Sequence, residues 1–415
     1  MKFYFPDSQD LVSPTYDFAR DEYSPLRVRQ RDDRYAHEVL ETPPYHGILV
    51  SKSIVDGSIM GSGKYTASQR ARLYRLGVDR FFRLPDGVES LGDNGAFNYA
   101  DELVPPVSVR ETLDFYEGCG FDAGVSVDHI IFGYDSAASF ESVDPAWAER
   151  RLITLRLAAE FIEMVNDEKS PVVPVGAAQG WGPASYADSV AQLQKMGYQR
   201  IALGGMVPLK TKEILESLDA IQEILEPTTD LHLLGITRFE SMETFADLGV
   251  TSFDSTSAFR QSFMDDRKNF HSMDGEYVAL RIPQVDGNPT LKRAILAGRV
   301  SQAEAVKHER ECLAAVRAFD GSAKATTNAL AALGAYEQIC QTKKSYLEAY
   351  ARTLDAAPWT TCPCSLCREL GIEIAIFRGT ERNKRRGFHN LSVLSRKMET
   401  LQPRKPKVMS RSTDG

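Results

Sequence analysis

Val172-Val173-Pro174-Val175-Gly176-Ala177-Ala178-Gln179-Gly180, then an amphipathic stretch from Tyr186 to Met196, then Arg200-Ile201-Ala202-Leu203-Gly204-Gly205 decide the fold class. A short apolar run, a segment with apolar residues three and four apart, and a second apolar run read as strand, helix and strand. The intervening helix forces the two strands to run parallel. The same unit repeats at about 30 residues on either side. Gly47-Ile48-Leu49-Val50, Ala123-Gly124-Val125-Ser126-Val127, Leu231-His232-Leu233-Leu234 and the run ending at Asp254 read as further buried strands, and Trp147 to Asn166 as a further helix. Polar residues or glycines follow these strands directly: Asp128, Gln179-Gly180, Gly204-Gly205, Gly235 and Asp254. In a parallel α/β fold the C-terminal strand ends form the functional rim. Because such residues recur on strand after strand, a closed (β/α)8 TIM barrel is favoured over an open doubly wound sheet.

Outside these units the chain changes character. Leu291–Arg299, Glu304–Phe319 and Thr326–Tyr350 are Ala-rich and helical, and either finish the barrel's outer ring or form an insertion. The expected organisation is an N-terminal segment over 1–45 packing on the barrel and a barrel over 46–355 that includes the helical region 288–355. A zinc-binding subdomain with a basic stretch follows over 356–402, inserted or appended, and then a disordered tail over 403–415.

The 415 residues are 43% hydrophobic and 26% charged, ordinary for a globular chain and unlike a disordered or fibrous one. No apolar run approaches the roughly 20 residues of a membrane span. Met1 to Asp7 has no apolar signal core, and six cysteines are too few for a disulfide scaffold. A cytoplasmic protein with no membrane partner is expected. Net charge is -8, yet Arg378 to Gly415 carries eleven Lys/Arg against three Asp/Glu. Such asymmetry alone reads first as a solvated tail, and otherwise as a basic face for phosphates with Arg378, Arg382, Lys384, Arg385 and Arg386 as the contacts.

Cys362-Pro363-Cys364-Ser365-Leu366-Cys367 puts three thiols within six residues, and His389 follows after 21 more. Three thiolates and one imidazole complete a tetrahedral shell that suits structural Zn²⁺ and leaves no open position for chemistry. Cys119, Cys312 and Cys340 are isolated and read as core. Asp93, in Leu91-Gly92-Asp93-Asn94-Gly95-Ala96-Phe97, and Asp254, in Gly249-Val250-Thr251-Ser252-Phe253-Asp254-Ser255-Thr256, are acids at strand ends. Two carboxylates meeting at one barrel mouth suit nucleophilic and acid/base work at an anomeric carbon, although either acid taken alone reads first as a cap or turn residue. Gly61-Ser62-Gly63-Lys64 imitates a phosphate loop, but Tyr65 and Ser58 stand where that motif needs Ser/Thr and Gly.

Together these motifs resemble the tRNA-guanine transglycosylase superfamily over about 45–400. Cys362, Cys364, Cys367 and His389-Asn390-Leu391 resemble its zinc motif. Asp93-Asn94-Gly95-Ala96-Phe97-Asn98 resembles its Asp-Ser-Gly-Gly-Phe-Gln loop, and Val175–Gly180 its Gly-x-x-Gln-Gly strand end. Ala202–Met206 resembles its Gly-Gly-Leu turn. Phe253-Asp254-Ser255, with Arg260 six residues beyond the acid, resembles the nucleophile motif. Asn94, Ala96, Asn98 and Ser257-Ala258-Phe259 depart from the tRNA enzymes, and no RNA-binding domain follows the zinc segment. The opening Phe5–Asp10 and Tyr16–Phe18 resembles instead the DNA-modifying branch, which places preQ0 in DNA in exchange for guanine.

The resemblance implies Asp254 as nucleophile and Asp93 as general acid/base. It implies Asp128, Gln179, Gly204, Gly205, Phe97 and Arg260 as substrate-binding residues, DNA and a 7-deazaguanine base as partners, and a separate helper ATPase if strand opening needs ATP. The alternatives are a transglycosylase acting on tRNA and a non-catalytic nucleic-acid-binding subunit; retention of both acids speaks against the latter.

Overall fold

In the computed structural model, residues 1–7, 9–57, 64–342 and 344–401 are described. The glycines of the phosphate-loop imitation and the tail beyond Leu401 lie outside them. Two compact units form, one from Met1–Ser8, Tyr45–Thr256 and Met398–Gly415, the other from Gln9–Pro44 and Ser257–Lys397.

The first unit is a closed barrel of eight parallel strands in sequential order. They are β1 (Lys2–Pro6), β2 (Gly47–Ser51), β3 (Glu89–Asp93), β4 (Ala123–Val125), β5 (Val173–Ala178), β6 (Arg200–Leu203), β7 (Asp230–Leu233) and β8 (Val250–Asp254). Inside lies a layered core containing Tyr4, Leu49, Leu91, Ala123, Val125, Val175, Ala177 and Ala202. Helices Val109–Cys119, Pro145–Glu168, Pro183–Met196 and Thr211–Gln222 follow β3 to β6. Ser108 and Asp144 cap the first two through their side chains, and Gly120 ends the first in a left-handed turn.

The barrel begins and ends elsewhere than the sequence suggests. Lys2–Pro6 is a barrel strand, not an appended segment: it pairs with β2 and, through Tyr4 opposite Asp254, with β8, closing the sheet. Its three aromatics are all buried, Tyr4 inward and Phe3 stacked on Phe253 at 5.2 Å, so it shows no polar alternation to betray a strand. The closed sheet is complete at Asp254, and the helical region 288–355 belongs to the second unit.

That unit holds helices Pro289–Leu296, Gln302–Arg317, Ala323–Ile339 and Leu347–Ala356, so the expected run Thr326–Tyr350 is two helices. The break follows Cys340, where Gln341 takes a left-handed φ of 52°. A 22-residue helix, Gly379–Thr400, carries the basic stretch from Arg382 onward, with Arg378 just before its start. Among the described residues no helix is long and apolar enough to cross a membrane.

Candidate active site and metal centre

Register and side-chain alternation bring the barrel acids to one end. Ser51 stands opposite Asp93 on β2 and β3, while Ser252 and Asp254, two apart on β8, share a face. Asp254 is 6% exposed, and its Oδ1 accepts the Gly235 backbone N–H at 2.9 Å. The same oxygen lies 3.1 Å from His232 Nε2. His232 sits on β7 opposite Ser252, whose Oγ is 2.9 Å from Nδ1.

Asp93 ends β3 in a different setting. Burial pushes its carboxyl up to about 7, the Asp128 charge adds to this, the Ser51 hydroxyl opposes it, and the Asp254 charge contributes further. A Cβ on Gly95, which takes a φ of +87°, would come within 1.8 Å of Ser53 Oγ, so only glycine fits behind this acid.

Asp128, just past β4, is 3% exposed and held by two amides. Asn94 Nδ2 donates to Oδ1 at 2.9 Å and Gln179 Nε2 to Oδ2 at 2.6 Å. Burial raises its carboxyl above the usual range, against the pull of both amides. Gln179 is itself 1% exposed, with Oε1 accepting the Ile131 N–H at 3.1 Å, so both ends of its amide are engaged within the protein. Gly205, at φ +72°, passes so close to Ile131 that a Cβ would sit 2.4 Å from its carbonyl oxygen. The Gly204 carbonyl accepts the Tyr186 hydroxyl at 2.8 Å. Phe97 is 54% exposed and tilts against Phe132, itself exposed, with centroids 5.4 Å apart. Arg260 is exposed on helix Ser257–Met264 of the second unit.

Two residues of this site escaped sequence reasoning. His232 read only as part of an apolar strand; its even spacing with Leu234 on one strand face was the available signal. Asn94 stood out only as a departure. In the structure it is fully buried, its Nδ2 also donating to the Ser126 carbonyl at 3.0 Å and its Oδ1 accepting from Tyr99.

In the second unit, ligand atoms of Cys362, Cys364, Cys367 and His389 all lie within 4.8 Å of one another. The sulfurs are 3.7, 3.4 and 3.3 Å from His389 Nδ1. A tetrahedral ion with Zn–S of about 2.3 Å and Zn–N of about 2.0–2.1 Å would set them about 3.6 Å apart. His389 Nε2 lies 2.8 Å from the His271 carbonyl, which fixes the hydrogen there and turns Nδ1 toward the thiols. Arg396 donates to Cys362 Sγ at 3.3 Å, favouring the thiolate. This cluster can hold a metal ion.

The basic stretch is not a phosphate-binding face. Arg378, Arg382, Arg385 and Arg386 are between 0% and 5% exposed. Arg378 pairs with Asp21 and Glu309, Arg382 with Asp21 and Glu373, Arg385 with Glu381, and Lys384 with Asp10. Arg386 donates to the carbonyls of Ser262 at 2.6 Å and Ile376 at 3.0 Å. These cations are internal struts of the second unit. Arg382→Ala should therefore cost about 1.5–3 kcal/mol of its stability, because Asp21 and Glu373 each lose a charged hydrogen-bond donor while keeping Arg378 and Arg317. Denaturant unfolding checks this, and an unchanged midpoint would restore the surface reading.

Over 405 residues the chain is 47% identical to a DNA-guanine transglycosylase of Salmonella montevideo, covering 96% of this chain and 97% of that protein. It belongs to the guanine transglycosylase family, in its DNA-modifying branch. No family model matches the chain.

Proposed function

We propose that the protein exchanges guanine in DNA for a 7-deazaguanine, preQ0, through a covalent glycosyl-enzyme intermediate on Asp254. The observation that carries this reading is the divided environment of the two acids. Asp254 is fixed by a backbone donor at one oxygen, whereas the carboxyl of Asp93 is shifted to about 7. One is positioned to attack; the other can both give and take a proton at neutral pH.

Asp254 attacks C1′ of the target deoxyguanosine. The C1′–N9 bond breaks, its electron pair leaves with the purine, and the purine takes the proton of Asp93. The incoming base gives its N9 proton to Asp93 and displaces Asp254 from C1′. Two inversions give net retention. Asp128 accepts from the N1–H and exocyclic amine of the base, with Asn94 and Gln179 holding it, the Gly204–Gly205 turn bordering it and Phe97 stacking on the base. Arg260, six residues beyond Asp254, is a further substrate-binding residue. Cys362, Cys364, Cys367 and His389 would hold a structural Zn²⁺, which would supply folding energy rather than chemistry. A base within a duplex is out of reach, so the nucleotide must be flipped or the strands opened, by a helper ATPase if energy is needed. The reaction takes place in the cytoplasm, where DNA and free base meet.

Mass spectrometry of nucleosides tests the substrate. DNA from cells that express the chain, make preQ0 and contain any helper should carry a 7-deazaguanine nucleoside. Modified tRNA beside unmodified DNA would favour the RNA-acting alternative.

Asp93→Asn should slow exchange by about 10²–10⁴-fold and flatten the pH–rate profile around pH 7. It should also stabilise the protein. The folded-state value of about 7 lies above the ordinary 3.8, so the folded protein retains a proton that the unfolded chain releases in between. Raising the pH through that window therefore lowers wild-type stability, with the loss complete above about 7. Thermal unfolding at pH 8 and pH 4 checks the sign. The variant's Tm should exceed the wild type's at pH 8 and converge with it at pH 4.

A further inference from the structure

We infer that His232 is a positioning residue for Asp254, presenting Oδ2 to the sugar and steadying the carboxylate as it leaves C1′. The inference rests on the covalent reading given above. Oδ1 faces both Gly235 N–H at 2.9 Å and His232 Nε2 at 3.1 Å, whereas Oδ2 has no hydrogen-bond partner among the described residues. An ionised carboxylate only accepts, so the ring nitrogen facing it carries a hydrogen. In the neutral ring Nδ1 then accepts from the Ser252 hydroxyl at 2.9 Å, which selects that tautomer.

The ring has little freedom to turn. It is 3% exposed, with the edge of Tyr4 against it at a centroid distance of 5.7 Å. Tyr4 is held in turn by Glu89 and by Arg200, whose guanidinium donates to its hydroxyl at 3.2 Å. A chain of contacts from the barrel interior thus ends on one oxygen of the nucleophile.

The consequence differs between the two half-reactions. With Oδ1 occupied by two donors, Oδ2 is the oxygen that bonds to C1′, and Oδ1 becomes the ester carbonyl. In the second step the C1′–Oδ2 bond breaks, its electron pair returns to the carboxylate, and N9 of the incoming base bonds to C1′ as its proton passes to Asp93. Charge reappears on Oδ1 at that moment, where a hydrogen bond is strongest. Loss of the donor therefore slows discharge of the adduct more than its formation.

The experiment compares wild type, His232→Ala, His232→Gln and Asp254→Asn on DNA substrate with the helper present. Adduct is formed without incoming base, then chased with labelled preQ0 and followed by denaturing electrophoresis. His232→Ala should discharge about 10–10²-fold more slowly, the worth of one hydrogen bond to a charged group, with KM for preQ0 unchanged and more adduct at steady state. Glutamine places an amide N–H near the former Nε2, so His232→Gln should recover most of the rate. Wild-type discharge in His232→Ala, or equally slow discharge in the alanine and glutamine variants, would overturn the inference. A wild type that forms no adduct would remove the covalent reading itself, and this role with it.

Discussion

Asp254→Asn should abolish base exchange and the denaturation-resistant protein–nucleic acid adduct together. The expected loss is on the order of 10⁴–10⁶-fold, the scale on which removal of a covalent nucleophile is felt. An amide oxygen is too weak a nucleophile to open C1′ usefully, yet asparagine has the same shape. Its Oδ1 still accepts from Gly235 and His232, so the hydrogen bonds that order the β7–β8 mouth survive. The variant should consequently fold and unfold like the wild type. Exchange of labelled guanine, adduct trapping and thermal unfolding are measured on the same preparations. An adduct that persists in Asp254→Asn and disappears in Asp93→Asn would reverse the two roles.

Cys364→Ser should release the metal and dissolve the cooperative unfolding of the second unit. Structural zinc contributes apparent free energies of about 10–16 kcal/mol in small domains, comparable with the whole stability of a typical fold. The substitution isolates this effect, because Cys364 is also the N-cap of helix Ser365–Leu370, its sulfur accepting the Cys367 N–H at 3.4 Å. Serine is a strong N-cap, so the helix start is preserved while a thiolate ligand is lost. Metal analysis should fall from one ion per chain to near zero, and limited proteolysis should open the region around 355–400. One zinc per chain in both proteins would refute the assignment.

Much of the site was legible because its signals are local. The Cys-x-Cys-x-x-Cys cluster lies on one turn, and only His389 had to be found at a distance. Asp128 and Asp254 stand directly after apolar runs and Asp93 in a Gly-flanked turn, and a parallel sheet places strand-end residues at one end whatever their separation in the chain. Asn94, by contrast, looked like a loss relative to the tRNA enzymes and is a buried ligand of Asp128. A substitution read without its neighbours cannot show which hydrogen bond it serves.

Sequence alone determined the parallel α/β class, most of the strand positions, the acids at their ends and the metal-ligand set. Each of these depends on periodicity or spacing within a few tens of residues. Only the tertiary structure decided that Lys2–Pro6 closes the barrel, since its partners Ser252, Phe253 and Asp254 lie some 250 residues away. Only the tertiary structure turned the arginines of 378–386 inward, because charge counting cannot know that Asp21, Glu309 and Glu373 come to meet them. His232 became visible for the same reason. Its meaning lies in the oxygen it faces on the neighbouring strand, and strand register is a long-range property that composition and local pattern do not contain.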